Sequence, residues 1–222
     1  MNFCGKTGKG LPTPILKGWF RAQKRYVKAV DEACWAYNER ASISVLTAGV
    51  WLAKGVALEE FSAGKDHLDK RMTSSRVGRD DLYFCHRNTN YWCEAKWMEI
   101  AVPTERKWNI DATINALRQK FDDAKKDASV VIKGGGGKRR ALLFVSVYHL
   151  SDKKDKLKDV YATNLVRECK KRLGKIGATG LAWYFERKWV RNNQGKRDDG
   201  KYWWEMGNLL FVGNVNGHKS KS

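Results

Sequence analysis

The apolar positions change period along the chain, and those changes divide it into elements. From about Ala22 to Lys54, Trp35, Glu39, Ile43, Leu46 and Val50 recur at spacings of four, four, three and four, which places them on one helical face. Val30, Cys34, Tyr37, Ala41, Val45 and Ala48 form a neighbouring stripe. This first helix is therefore apolar over a wide arc and is expected to pack on a sheet, with Gly55 as its stop. Val56 to Phe61 reads as a short strand, and the charged stretch Ser62 to Arg79 as a loop. Asp81 to Cys85 and Tyr91 to Trp97 read as two strands joined by a turn at His86 to Asn90, an antiparallel hairpin.

Helical spacing returns at Ile110, Ile114, Leu117, Phe121 and Ala124, so a second helix spans Asn109 to Ala128, capped by Asn109 or Asp111. The glycine run between Lys133 and Lys138 breaks the chain. Ala141 to Tyr148 is almost continuously apolar, as expected of a central strand covered on both faces. A third helix fits Asp159 to Leu173, with Gly174 closing it. Two more strands, about Gly180 to Val190 and Tyr202 to Val215, flank the polar turn Asn192 to Gly200. The order is helix, three strands, helix, strand, helix, two strands. That order predicts an α/β sandwich rather than a regular βαβ repeat. Residues 1–21, punctuated by Gly, Lys and Pro, read as an irregular basic arm, and 22–150 as the core. Residues 151–216 read as a C-terminal helix and strands completing the same domain, and 217–222 as a basic tail.

Charge changes this picture most. Against 24 Asp and Glu stand 43 Lys and Arg, a net charge of +19 over 222 residues. An excess of that size favours a polyanionic partner, and nucleic acid foremost. A membrane is not expected, because no apolar run approaches the ~20 residues of a spanning helix. The N-terminus is basic but has no apolar stretch after it, so no signal peptide is read there. The five cysteines are scattered, odd in number and without a Cys-x-x-Cys pair. That argues against a disulfide framework and a zinc finger and points to a reduced, cytoplasmic setting.

Phosphodiester hydrolysis needs charge neutralised on the phosphate and a water made nucleophilic. Two carboxylates holding a divalent metal, with a lysine to orient the water, supply both. Glu94 and Lys96 lie two apart on a strand and so share a face, while Cys93 and Ala95 turn to the other. The hairpin can bring Asp81 beside Glu94. Glu-x-Lys by itself is weak, since it also occurs at Glu105, Glu168 and Glu186. Only Glu94-Lys96 combines a strand with an upstream Asp on a paired strand. The alternative is an exposed Glu and Lys on a solvated strand face.

Gly78-Arg-Asp-Asp-Leu-Tyr-Phe84 followed by Tyr91-Trp-Cys-Glu-Ala-Lys96 resembles the signature of the PD-(D/E)XK phosphodiesterase superfamily, the restriction-endonuclease-like fold. The resemblance covers about Ala22 to Tyr148 and implies that superfamily's core of helix, three strands, helix and strand. It implies that Asp81 and Glu94 ligate Mg²⁺ or Mn²⁺, that the Ala95 carbonyl adds a ligand, and that Lys96 positions the attacking water. The superfamily's proline is absent, and Asp80 and Asp81 both stand as candidates. Asp81 is favoured because alternation then leaves Leu82 and Phe84 for the core. Members often add a carboxylate from the first helix or strand. Glu39 either reaches the metal or pairs with Arg40 or a core lysine, and of Glu59 and Glu60 the former is favoured.

Arg79, Lys138, Arg139, Arg140, Arg187, Lys188 and Arg191 are candidates for phosphate contact. Aromatics interleaved with the last three could stack unpaired bases, or fill the core. The expectation is a metal-dependent DNA endonuclease. Cutting two strands would favour a homodimer. An RNA nuclease or a non-catalytic nucleic-acid-binding module on the same fold are the alternatives.

Overall fold

The computed structural model describes residues 3–66, 76–103, 108–129, 131–132, 136–151, 160–185, 194–196 and 202–215. Along the chain run β1 (Phe3–Gly8), α1 (Thr13–Val30), α2 (Glu39–Leu52), β2 (Val56–Asp66), β3 (Arg76–His86) and β4 (Thr89–Pro103). They are followed by α3 (Ile110–Ala128), β5 (Val131–Ile132), β6 (Lys138–Ser151), α4 (Val160–Lys171) and α5 (Leu173–Ile176). The last elements are β7 (Gly180–Phe185), β8 (Gln194–Lys196) and β9 (Tyr202–Val215). Among the described residues the strands form one mixed sheet of nine, ordered β1-β7-β9-β6-β4-β3-β2-β5, with β8 added on β9. The one parallel pair described is β4 with β6, running from Tyr91↔Lys138 to Pro103↔Leu150. The chain is therefore mixed α/β, with helices on both sheet faces.

The two faces separate by alternation. Leu82, Phe84, Cys93, Ala95, Leu142 and Phe144 point toward α1 and α2, with Ile15, Trp19, Ile43, Leu46 and Val50 packed on them. Ile100, Val102, Leu143 and Val145 point to the opposite face, under Ile114, Leu117 and Phe121 of α3 and Leu165 and Cys169 of α4. The expected central strand is thus buried on both sides, from Ala141 to Val147. Leu82, Phe84, Cys93 and Ala95 take the core places that alternation assigned them, each buried completely. The five cysteines are free thiols.

Three expectations are corrected. The irregular basic arm is instead β1, paired antiparallel to β7 from Phe3↔Phe185 to Gly8↔Gly180, followed by the first half of α1. Pairing with residues ~180 positions distant leaves no local periodicity to read. The single helix from Ala22 to Lys54 is two. Asp31 takes the left-handed conformation (φ 59°) that ends α1, and the Asn38 side chain accepts from the Ala41 N–H to begin α2. The apolar stripes bridged the break because a short 3-10 turn, Cys34–Ala36, keeps Cys34 and Trp35 buried. The loop from Ser62 to Arg79 is shortened from both ends, since β2 runs on to Asp66 and β3 begins at Arg76. At the hairpin, Arg87 (φ 49°) and Asn88 (φ 57°) form the tight two-residue connection, with His86 paired to Thr89.

The two helices on the first face meet backbone to backbone. A Cβ on Gly49 would lie 2.6 Å from the Trp19 nitrogen, and one on Gly18 would strike the Gly49 carbonyl. Gly49→Ala is therefore expected to force α1 off α2 and lower unfolding free energy by about 1–3 kcal/mol, as overpacking does, read by urea denaturation.

Burial, followed by the nearby charge of Glu99, pushes the Glu205 carboxyl up to about 7. The folded protein then binds a proton that the unfolded chain has released, so stability falls as pH rises through the window from about 4.5 to about 7. Glu205→Gln should flatten that slope and stabilise the protein at pH 8 by about 1–2 kcal/mol, discounted for partial solvent contact. Unfolding curves across this range check the sign.

Candidate active site

Hydrogen-bonded pairing between β3 and β4 runs from His86↔Thr89 to Leu82↔Cys93 and goes no further. Beyond Leu82, β3 stays with β2, through to Lys65↔Arg76. The side of β4 that faced β3 is left with backbone N–H groups that lack a strand partner, and a buried donor must find an acceptor. Two carboxylates answer. Asp81 Oδ2 accepts from the Ala95 N–H at 2.7 Å. The carboxylate of Glu39, at the first turn of α2, accepts from the Trp97 N–H. The parting of the two strands thus draws Asp81 and Glu39 to one place.

Lys96 lies on the face of β4 that carries Met98 and Ile100, under α3. Its ammonium is 2.7 Å from Asp127 Oδ2 near the end of α3. Burial works to lower the Lys96 pKa, but the Asp127 hydrogen bond and the charges of Asp127, Glu39 and Asp81 outweigh it and hold it above the ordinary lysine value. Lys96 is therefore a cation at neutral pH, suited to orienting an oxygen rather than taking a proton. The Glu39 carboxyl moves above its usual range through burial first and the Asp81 charge second, against the pull of Lys96, Lys120 and the Trp97 N–H. Two carboxylates and an ammonium thus lie within range of one another's charge.

The two candidate aspartates part by alternation. Asp80 is 1% exposed and shares the face of Leu82 and Phe84, and its charge acts on Arg139 and Cys93. Asp81 acts on Glu39 and Lys96. Glu94 is 5% exposed, on the Lys96 side of β4, with its charge felt by Arg139 and Cys93. Arg40 does not pair with Glu39. It pairs with Glu60, at 2.5 Å, while Glu59 accepts from the Ser44 hydroxyl at 2.9 Å. Glu59 and Glu60 are thus both engaged with α2.

Of the basic candidates, Lys138 is exposed and sits 5.8 Å from the Tyr91 ring centroid. Arg139 Nη1 donates to the Ala128 carbonyl at 2.9 Å. Arg140 is 9% exposed, with its guanidinium 5.5 Å from the Tyr91 centroid. The Arg79 backbone lies on β3, and its side chain falls outside the described residues, as do Arg187, Lys188 and Arg191. Trp183 and Tyr184, the aromatics that precede Arg187, are core residues at 6% and 2% exposure. Asp127 was not anticipated. An acidic residue in a last helical turn opposes the helix dipole, and that mismatch is the one signal that it serves a tertiary partner.

Among the described residues no group of three or more His, Cys, Asp or Glu is gathered as a metal cage. Mg²⁺ does not require one, since it keeps several waters and is held by one or two carboxylates together with substrate phosphate. The like-charge pressure between Glu39 and Asp81, which a bound cation would relieve, and the all-oxygen donor set fit that ion. Asp81 and Glu39, whose charges act on one another, are the carboxylates that could share such an ion, and Glu94 lies on the Asp81 face of the sheet.

No protein-family model, curated protein or solved structure matches this chain. Among the described residues no helix is long and apolar enough to cross a membrane.

Removing the Lys96 charge strips Glu39 of its strongest favourable charge. Lys96→Met is expected to raise the Glu39 pKa further, read by a carbon-13 carboxyl titration of the whole chain. An unmoved Glu39 titration would show that the two groups do not interact.

Proposed function

We propose that this chain is a metal-dependent nuclease of the PD-(D/E)XK type, hydrolysing phosphodiester bonds and acting on DNA. The observation that carries this reading is the convergence of Asp81, Glu39 and Lys96 at the point where β3 leaves β4. The order α2, β2, β3, β4, α3, β6, with β4 parallel to β6, supports it as the superfamily's core arrangement. Mg²⁺ or Mn²⁺ held by Asp81 with Glu94, and by Glu39 beside them, would neutralise the scissile phosphate and acidify the attacking water. The Ala95 carbonyl, on the residue whose N–H Asp81 accepts, is the backbone oxygen that would join them.

Each residue then has its own task. Asp81 is locked in orientation by the Ala95 N–H, so its second oxygen has a defined direction. Lys96, kept protonated and tethered by Asp127, orients the water and meets negative charge that builds on the phosphate. The +19 net charge draws the polyanion to the surface and supplies most of the affinity in a salt-dependent way. Two-strand cutting by this site would call for a homodimer.

Purified protein should cleave plasmid DNA in Mg²⁺, and Asp81→Ala, Glu94→Ala and Lys96→Ala should each lower the rate by about 10²-fold or more. Equal cleavage by wild type and all three variants would sink the assignment. Salt-sensitive binding without cleavage in Mg²⁺ or Mn²⁺ would establish the non-catalytic module instead, and exclusive cleavage of RNA would change the substrate.

A further inference from the structure

A row of side chains crosses four strands next to the carboxylates. Leu58 on β2 is paired with Tyr83 on β3, Tyr83 with Trp92 on β4, and Trp92 with Arg139 on β6. Directly opposed strand residues share a face, so the four form one transverse strip. The adjoining row carries Asp81 and Glu94, two residues along each strand and so about 7 Å away. On this face α3 lies over β4 and β6, while α2 packs on the opposite face of β2 and β3.

The strip is apolar on β2, β3 and β4, with Leu58 open to solvent and the Tyr83 and Trp92 rings half-buried. Leu58 is 58% exposed, and Val56 beside it 51%. The Tyr83 and Trp92 rings lie 4.6 Å apart, tilted by 48°, and Tyr83 is pinned by its hydroxyl, which donates to Asn90 Oδ1 at 3.0 Å. Gly137, at φ 148°, brings the chain against the indole edge. A Cβ there would lie 3.0 Å from Trp92 Nε1, so only glycine lets the backbone pass. One cation stands at the end of the strip, where Arg139 is in register with Trp92, while Lys138 pairs with Tyr91 and turns to the opposite face.

We propose that Leu58, Tyr83 and Trp92 form a stacking platform for an unpaired nucleobase of single-stranded nucleic acid, with Arg139 meeting its phosphates. The role of the platform as a substrate subsite rests on the nuclease reading of the neighbouring carboxylates. A fixed aromatic surface flanked by a guanidinium matches the two-part chemistry of a single strand, a π-face and a backbone charge. A duplex keeps its base faces stacked on one another and has none to offer the strip. The platform therefore selects a strand end, a gap or a branch over continuous duplex.

The test measures binding of the full chain, without divalent metal, to a labelled oligothymidylate, to an abasic strand of equal length and to a duplex. The two single strands carry the same phosphates and differ only in their bases. Wild type is expected to bind the oligothymidylate about tenfold tighter than the abasic strand. Tyr83→Leu and Trp92→Leu should bring the ratio near one, and so should Leu58→Asp, an exposed position where the fold tolerates the change. Trp51→Ala, an exposed tryptophan of α2 outside the strip, should leave the ratio intact. Equal affinity of wild type for the two strands, or a ratio unchanged in all three strip variants, overturns the proposal. So does a base-independent wild type whose self-association is lost in Leu58→Asp, which would assign the strip to a second copy. Cleavage in Mg²⁺ is scored on the same samples. Cleavage without base preference removes the platform and leaves the nuclease. Base preference without cleavage removes the nuclease and leaves a single-strand binding site.

Discussion

A strand buried in a sheet cannot leave its amide groups empty, and that requirement organises this molecule at β4. The strand is paired to β6 along thirteen residues on one side, but to β3 only as far as Cys93 on the other. From Ala95 onward its open side must be satisfied by something other than backbone. Asp81 and Glu39 supply the acceptors, and each is thereby held at a fixed place with like charge nearby. Lys96, on the same strand, relieves part of that repulsion. The chemistry of the site follows from a defect in strand pairing that is repaired by carboxylates.

The same defect explains why the helices sit where they do. α2 must enter with its first turn beside the opening for Glu39 to reach Trp97, and the Asn38 cap sets that start. Its body is pressed on α1 through facing glycines, so the helix axis has little freedom to drift. On the other face α3 ends near Lys96, where Asp127 holds the ammonium. Two layers of helix therefore converge on one interruption in the sheet. Burial of Leu82 and Cys93, the last pair before the strands diverge, anchors the point of departure.

Charge divides the surface into tasks of different range. The net positive balance acts over a Debye length and has little directional content. In the proposed function, orientation would come from short-range features, namely the carboxylates and the apolar strip beside them. Arg140 illustrates the limit of counting cations, because it is buried over Tyr91 with Arg139 as its hydrogen-bond acceptor. A basic residue contributes to the field from such a position without being free to grip a phosphate.

Local pattern in the sequence determined a good deal. Period-two alternation placed Leu82, Phe84, Cys93 and Ala95 in the core and set Asp81, Glu94 and Lys96 on the other face, because strand geometry leaves a residue only two directions. The near-unbroken apolar run at Ala141 to Tyr148 marked the central strand, and Asn109 marked the start of α3, whose first turn it caps. Tertiary structure alone decided the rest. That β1 joins the sheet through β7 depends on residues at opposite ends of the chain. That Asp81 bonds the Ala95 amide depends on where two strands stop pairing, which no periodicity encodes. That Glu39 sits beside Asp81, and Asp127 beside Lys96, depends on the packing of helices on a sheet, where the contact is made by position in space and leaves no fixed spacing along the sequence.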